Sequence, residues 1–229
     1  MTTTDTENIE RAIDLAQRST YVAFCPTFKK YEIDFKPILH YIDSIGNDPQ
    51  ARAARKLITN EEKIPGLLGF VRTEAEFDEI ASFFERPEVR ILLPEDLHFG
   101  RSYKKSGHDG YEVYMLNCPS DHYNMLFATD ISSVEVGDDP QLGSVINMQF
   151  NDEASREWEK ITHRNLGRTI AIVMDSEVIC APFVGDVIFG GKSQISNSFT
   201  RKDAQSIAAK IKNGSFNARL KVVSVDRPK

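Results

Sequence analysis

The sequence predicts an α+β protein that ends in a ferredoxin-like part, in which two helices cover one face of an antiparallel sheet. Three observations lead to this fold class. The run Ile170–Met174 is apolar at every position, as expected of a central strand. Asp175 and Ser176 then supply a tight turn into a second apolar run. Helical stripes of apolar residues flank these two runs, and Gly167 and Gly214 stand where the helices should end.

The C-terminal elements follow the order strand, helix, strand, strand, short strand, helix, strand. The predicted bounds are a strand over 144–150, a helix over 152–165, strands over 169–174, 178–184 and 193–199, a helix capped by Thr200, and a strand over 218–225. The helical stripes expected in the core are Ala154, Trp158 and Ile161, then Ala204, Ile207, Ala208 and Ile211. These elements define a domain over 141–229.

Two further parts precede this domain. Residues 71–140 should form a smaller α+β part, in which Thr73 and Glu76 make a capping box for a helix that stops before Pro87. Strands are expected over 89–93 and 111–116, with a loop over 98–110. Residues 1–70 should form a helical N-terminal segment, with helices over 6–18, 37–45 and 49–58. A boundary is expected between residues 126 and 142, where residues 138–140 have turn chemistry.

Composition excludes several classes of function. The net charge of −6 and the pI near 5.5 disfavour nucleic acid as a partner. The longest apolar run is far shorter than a membrane span, and the first residues lack the pattern of an export signal, so we expect a soluble, cytoplasmic protein, or an extracytoplasmic one if a leader was removed. Three scattered cysteines, Cys25, Cys118 and Cys180, do not suggest a disulfide framework.

The C-terminal sequence resembles the head part of the first extracytoplasmic (P1) domain of the SecD and SecF family. Members of this family are membrane-bound accessory subunits of the bacterial protein-export channel. The residues that carry the resemblance are Phe150, Trp158, Ile161, Thr162, Asn165, Gly167, Ile170–Val173, Asp175, Ala181, Pro182, Ile188, Gly190, Gly191, Ile195, Ser196, Phe199, Thr200, Ala204 and Gly214. It covers 142–225 and, more faintly, 85–116. Asn197 departs from it where the family has glycine, and Cys180 where it has serine.

The resemblance implies a fold and a capacity to contact extended polypeptide. It does not imply proton-coupled pumping, because in the family that work belongs to membrane helices. The first hypothesis is therefore a non-enzymatic module, linked to protein translocation, that binds a protein or an extended polypeptide or pairs with itself. Another hypothesis is a structural domain whose N-terminal segment performs the recognition.

The second hypothesis is a small metal-dependent or hydrolytic enzyme. His108 with Asp109, and Cys118 with Asp121 and His122, are residue types that ligate metals, but they are more simply explained as solvated loop residues. Cys180 is interpreted as a small core residue. No nucleophile stands in a recognisable elbow, so we predict no catalytic residue, no metal and no cofactor.

The candidate partner-binding surface combines the predicted hairpin over 169–184 with the segment over 187–199. Its residues are Val178, Ile179, Pro182, Ile188, Gly190, Gly191 and Ile195. An uncovered sheet edge or apolar groove here could accept an extended peptide by strand addition. Gly190 and Gly191 are expected to supply positive φ at a bend and not a phosphate site, because a strand and not a helix follows them.

Overall fold

We describe residues 22–59, 62–106, 110–118 and 126–214 of a computed structural model. Six α-helices and ten strands lie within these ranges. The helices are α1 (Lys36–Ser44), α2 (Pro49–Thr59), α3 (Glu74–Phe84), α4 (Pro87–Arg90), α5 (Asp152–Arg164) and α6 (Arg201–Gly214). The strands are β1 (Val22–Pro26), β2 (Leu67–Val71), β3 (Leu97–Ser102), β4 (Tyr111–Asn117), β5 (Leu126–Phe127), β6 (Ile131–Asp139), β7 (Gly143–Phe150), β8 (Ile170–Met174), β9 (Glu177–Cys180) and β10 (Lys192–Phe199). The α+β class is confirmed.

The strands form two sheets. The larger has the order β2-β4-β3-β9-β8-β1-β5, in which every pair is antiparallel except β3 with β9. The smaller has the order β10-β7-β6 and is antiparallel throughout. The prediction of a central strand is confirmed, because β8 lies between β9 and β1 and all five of its residues are buried.

The predicted hairpin is confirmed as β8 and β9. Asp175 and Ser176 both have positive φ, 51° and 70°, which is the geometry of a two-residue hairpin turn. The second strand is shorter than expected and ends at Cys180. Beyond it, a bridge between Thr169 and Phe183 prolongs the pairing without forming a ladder.

The expected single ferredoxin-like sheet is not observed. Strands β7 and β10 pair with each other, whereas β8 and β9 belong to the larger sheet. The physical reason is β1, an apolar and fully buried strand that pairs with β8 from Val22 opposite Met174 to Pro26 opposite Ile170. In the ferredoxin-like prediction, the strand at this position beside β8 would have come from the C-terminal domain over 141–229. The strand predicted over 218–225 lies outside the described residues.

The two long C-terminal helices agree with prediction. Asn151 caps α5 by accepting a hydrogen bond from Ala154 N, and Thr200 Oγ1 accepts one from Asp203 N at the start of α6. The predicted stripes of both helices are buried in one cluster, together with Phe24 of β1 and Ile170 of β8. This cluster lies between the two sheets and is the core that positions the candidate site.

The upstream parts depart further from prediction. Residues 89–93 were expected to form a strand, but they belong to α4 and the turn after it, because Pro87 begins a short helix. The loop expected over 98–110 contains β3 instead. Its sequence does not resemble a strand because it carries Arg101, whose buried guanidinium donates to Glu177 Oε1 at 2.6 Å. The strand at 111–116 and the Thr73–Glu76 cap are confirmed.

The N-terminal segment is not wholly helical. The helices expected over 37–45 and 49–58 are present as α1 and α2, and the helix over 6–18 lies outside the described residues. Strand β1 was not predicted, and the larger sheet draws strands from all three parts of the expected division. The turn at 138–140 joins β6 to β7 within the smaller sheet, with Asp139 Oδ1 accepting from Gln141 N and Leu142 N. The domain boundaries at 70 and 140 stay a prediction.

Candidate functional site

An apolar groove lies where the smaller sheet meets the larger one. Its cavity measures about 280 Å³. The lining residues are Phe24, Met148, Trp158, Ile170, Ile172, Pro182, Phe183, Val184, Gly185, Asp186, Ile188, Ser193, Gln194 and Ile195. They come from β1, β7, α5, β8, β10 and the segment after β9. We call this cavity the groove and residues 182–188 its rim.

The floor of the groove is aromatic. Trp158 projects from α5 against Phe24, with ring centroids 5.7 Å apart and planes at 70°, and against Phe150 at 5.3 Å. Edge-to-face packing of this kind fixes the orientation of the indole. Only 5% of Trp158 is exposed, so the ring is both a core residue and part of the groove lining.

Two polar atoms at the groove have no hydrogen-bond partner within the described part of the chain. They are Nε1 of Trp158 and Oγ of Ser193, and both residues line the groove. A buried donor without an acceptor costs about 1–3 kcal/mol. An acceptor carried by a ligand in the groove would remove that cost, so the pair gives the apolar cavity a polar preference.

Backbone hydrogen bonds hold the rim against the larger sheet and α5. Val184 N donates to Arg168 O at 2.8 Å, and Ile170 N donates to Pro182 O at 3.1 Å. Further along, Ile188 N donates to Thr162 Oγ1 of α5 at 3.1 Å. The rim is therefore anchored at both ends while it presents Phe183, whose side chain is 60% exposed, beside the cavity.

The paired glycines close the rim onto the smaller sheet. Gly190 and Gly191 have φ of +68° and +67°, which confirms the positive φ predicted for them. Gly190 O accepts a hydrogen bond from Gln149 Nε2 at 2.8 Å. A Cβ on Gly191 would lie 2.0 Å from Ser155 Oγ, so the backbone passes against α5 at a distance that only glycine allows.

Strand β10 borders the groove with an edge. Among the described residues it pairs with β7 alone, and Ser193, Gln194 and Ile195 line the cavity. Ser193 and Gln194 also line a shallow cavity of about 460 Å³ on the smaller sheet, whose other lining residues are mostly polar types such as Glu135 and Asn147. Asn197, where the family resemblance implies glycine, donates from Nδ2 to Ile179 O at 2.8 Å and joins β10 to β9.

The predicted surface residues have three different positions. Pro182, Ile188 and Ile195 line the groove, as their spacing along the chain suggested. Gly190 and Gly191 lie at the turn that closes the rim. Val178 and Ile179 are buried in the cores on opposite faces of the larger sheet, and both line a separate cavity of about 210 Å³ with Pro182.

Phe183 and Ser193 lie within the predicted surface ranges but were not singled out as lining residues, and Met148 lies outside those ranges. Phe183 had a usable signal, since a large aromatic directly after a proline that ends a strand is a candidate for exposure. Met148 and Ser193 had none, because their contact with the groove depends on how the two sheets meet.

Four of the five metal-ligating residues of the enzyme hypothesis, His108, Asp109, Asp121 and His122, lie outside the described residues. Within the described ranges, no group of three or more His, Cys, Asp or Glu side chains could hold a metal ion. Cys180 is a buried core residue, as predicted, and burial raises the pKa of its thiol to about 12. None of the helices in those ranges has the length and apolarity needed to span a membrane.

The described residues thus form an α+β architecture with a groove where the two sheets meet. Comparison with known families gives the class of protein. Residues 117–218 match the model of the SecDF P1 head subdomain. Over this stretch the chain is therefore similar to the P1 head subdomain of the SecDF family, as the resemblance implied. The match begins upstream of residue 142, consistent with the pairing of β6 with β7.

The curated relatives that this chain matches are SecD proteins. The SecD subunit of the protein translocase of Acidaminococcus fermentans is 34% identical over 99 residues, which cover 43% of this chain and 24% of that protein. The SecD of Rhodothermus marinus is 29% identical over 147 residues, or 63% of this chain and 24% of that protein. This chain thus spans about a quarter of these relatives. A solved structure of SecDF, described as a membrane component that enhances protein export, is 20% identical, covers 91% of this chain and 100% of its own, and has a TM-score of 0.42.

Proposed function

We propose that this chain binds an extended, apolar polypeptide segment in the groove and does so as a module linked to protein translocation. The observation that carries the proposal is an apolar cavity lined by Trp158 and Ser193, whose buried Nε1 and Oγ have no hydrogen-bond partner among the described residues. A polypeptide supplies both features, since its side chains can fill the cavity and its backbone carries carbonyl oxygens at every residue.

Edge strand β10 supports an extended conformation for the ligand. Strands that have one free side accept a peptide by main-chain hydrogen bonding, and side-chain pockets beside the strand then select apolar residues. Here the cavity and the edge adjoin at Ser193–Ile195. The link to translocation is supported by the P1 head match and by relatives named as protein translocase subunits.

Two exposed phenylalanines offer a matched test. Phe183 is 60% exposed on the rim, and Phe189 is 68% exposed but does not line the groove. We expect Phe183→Asp to weaken binding of an unfolded probe, such as reduced and carboxymethylated α-lactalbumin, by roughly tenfold or more, the loss typical of a central interface aromatic. Fluorescence anisotropy of the labelled probe measures this change.

Phe189→Asp introduces the same charge at a similarly exposed phenylalanine and should leave the affinity within about twofold, since Phe189 lies outside the cavity. Equal losses in the two variants would indicate non-specific adhesion to exposed aromatics, and no loss in Phe183→Asp would place binding elsewhere. These point variants also address the hypothesis that the N-terminal segment performs recognition. Deleting residues before Thr73 would remove β1 from the larger sheet and could not separate recognition from folding.

A further inference from the structure

Cys25 and Cys118 face each other across two antiparallel segments. Beyond β1 and near the end of β4, Thr27 forms an antiparallel bridge with Leu116, and Phe28 N donates to Met115 O at 2.9 Å. Continuing this register by two residues on each segment places Cys25 opposite Cys118. Both residues pack in the same cluster on one face of the larger sheet.

The hydrogen-bonding phase makes this pair a close one. In antiparallel strands, hydrogen-bonded and non-hydrogen-bonded pairs alternate, and the side chains of the second kind lie closer together. The bond from Phe28 N to Met115 O lies beside the Thr27–Leu116 bridge, which makes Thr27 with Leu116, and then Cys25 with Cys118, non-hydrogen-bonded pairs. Consistent with this phase, Cys118 N donates away from β1, to Asp96 O at 2.9 Å. The Cα separation of such pairs, about 4.5 Å, lies within the range that disulfides span.

The two thiols differ in exposure and in acidity. Cys25 is 2% exposed, whereas Cys118 is half-buried, and both are free. A hydrogen bond between the thiols lowers the pKa of Cys118, because Cys25 donates to its thiolate, and the same contact together with burial raises the pKa of Cys25. The more accessible sulfur is thus also the more nucleophilic one.

We infer that Cys25 and Cys118 form a reversible disulfide by exchange with a small-molecule disulfide such as oxidised glutathione. In the first step the Cys118 thiolate attacks one sulfur of glutathione disulfide and expels a glutathione thiolate, which leaves a mixed disulfide on Cys118. In the second step Cys25 loses its proton to solvent and attacks the Cys118 sulfur, which expels the second glutathione thiolate. Two protein thiols are oxidised and one glutathione disulfide is reduced to two glutathione thiols.

The closed disulfide would join β1 to the end of β4 and so fasten the strand that lies beside β8. Cys180 lies in the core on the other face of the larger sheet and serves as the internal control. This inference does not depend on polypeptide binding, because the groove and the cysteine pair lie on opposite faces of β1.

The test treats the full reduced chain with excess oxidised glutathione, traps the remaining thiols by alkylation and maps the peptides by mass spectrometry without reduction. We expect a Cys25–Cys118 linked peptide within one chain, with Cys180 alkylated, and the same product from Cys180→Ser. In Cys25→Ser, glutathione should remain attached to Cys118. The oxidised wild-type chain should have a Tm higher than the reduced chain by roughly 5–15 °C.

Three results would overturn the inference. They are a persistent glutathione adduct on wild-type Cys118, three unreacted thiols in a chain whose thiols do react in denaturant, and linkage only between separate chains. The wild-type product decides the matter even where a serine variant does not fold.

Discussion

The close approach of Gly191 to α5 gives a prediction that can be worked out from the structure. Gly191→Ala must adopt φ near +67° and place its Cβ 2.0 Å from Ser155 Oγ and 2.7 Å from Ser155 Cβ. Gly190→Ala needs nearly the same φ, but its Cβ meets no described atom within 4 Å. Both variants carry the left-handed penalty of about 1–2 kcal/mol, partly offset by a smaller loss of chain entropy. Only Gly191→Ala adds an overpacking cost of about 1–3 kcal/mol.

We therefore expect Gly191→Ala to lower the free energy of unfolding by about 2 kcal/mol more than Gly190→Ala does, or roughly 4–8 °C in Tm. Denaturant unfolding followed by circular dichroism measures both. Ser155→Gly in the Gly191→Ala background removes the opposing side chain and should recover part of the loss, with a coupling energy of about 1–2 kcal/mol. If the two alanine variants lost the same free energy of unfolding, or if the coupling energy with Ser155 were zero, the placement of Gly191 against α5 would be refuted.

Three further predictions follow from side-chain contacts elsewhere. Arg168 donates a paired hydrogen bond to Glu32 and holds the pKa of that carboxyl below its ordinary value of 4.5. The stability from this pair is therefore complete above pH 4.5 and is lost as the pH falls through the lowered pKa of the folded state. Glu32→Gln should flatten the acid limb of a curve of Tm against pH, and an unchanged limb would contradict the pairing. Glu177→Ala leaves the buried Arg101 guanidinium without its nearer carboxylate and should cost about 1–3 kcal/mol in urea unfolding, whereas a neutral result would mean that Glu74, at 3.3 Å, compensates. Asn197→Gly removes the hydrogen bond to Ile179 O and should cost about 1 kcal/mol, while a stabilised variant would refute a role for Asn197 in joining β10 to β9.

Local pattern was sufficient to predict most of the C-terminal elements. The stripes of α5 and α6, the Thr200 cap of α6 and the two-residue turn after β8 are set by residues within one or two turns of each other, and all were predicted from the local sequence. The same holds for α1, α2 and the cap of α3.

Pairing between distant segments was not accessible in this way. β1 is a strand because it pairs with β8, and the sequence around Val22–Pro26 does not predict that pairing. β3 was hidden because its charge, Arg101, is neutralised by Glu177 from a strand far along the chain. The division into two sheets follows from these pairings. The ferredoxin-like prediction was therefore correct for the helices and the hairpin but wrong about a single sheet.

The groove shows the same limit. Pro182, Ile188 and Ile195 could be proposed because they follow the hairpin closely in sequence. The helical spacing of Trp158 predicts a core residue, which it is. That spacing does not indicate that its indole N–H lacks a partner among the described residues. A residue that is both core and lining is recognised only when the neighbouring sheet is in place.

Trp158 is the only tryptophan in the sequence, so its indole N–H gives a single resonance in a ¹⁵N–¹H spectrum. Titration of the full chain with an unfolded, apolar polypeptide should move that resonance downfield in proportion to binding, because a ligand carbonyl accepts the hydrogen bond that Nε1 now lacks. The Phe183→Asp variant should show a weaker response and Phe189→Asp an unchanged one. An indole resonance that stays fixed while the polypeptide binds, or a polypeptide that does not bind at all, would contradict the groove as the binding site.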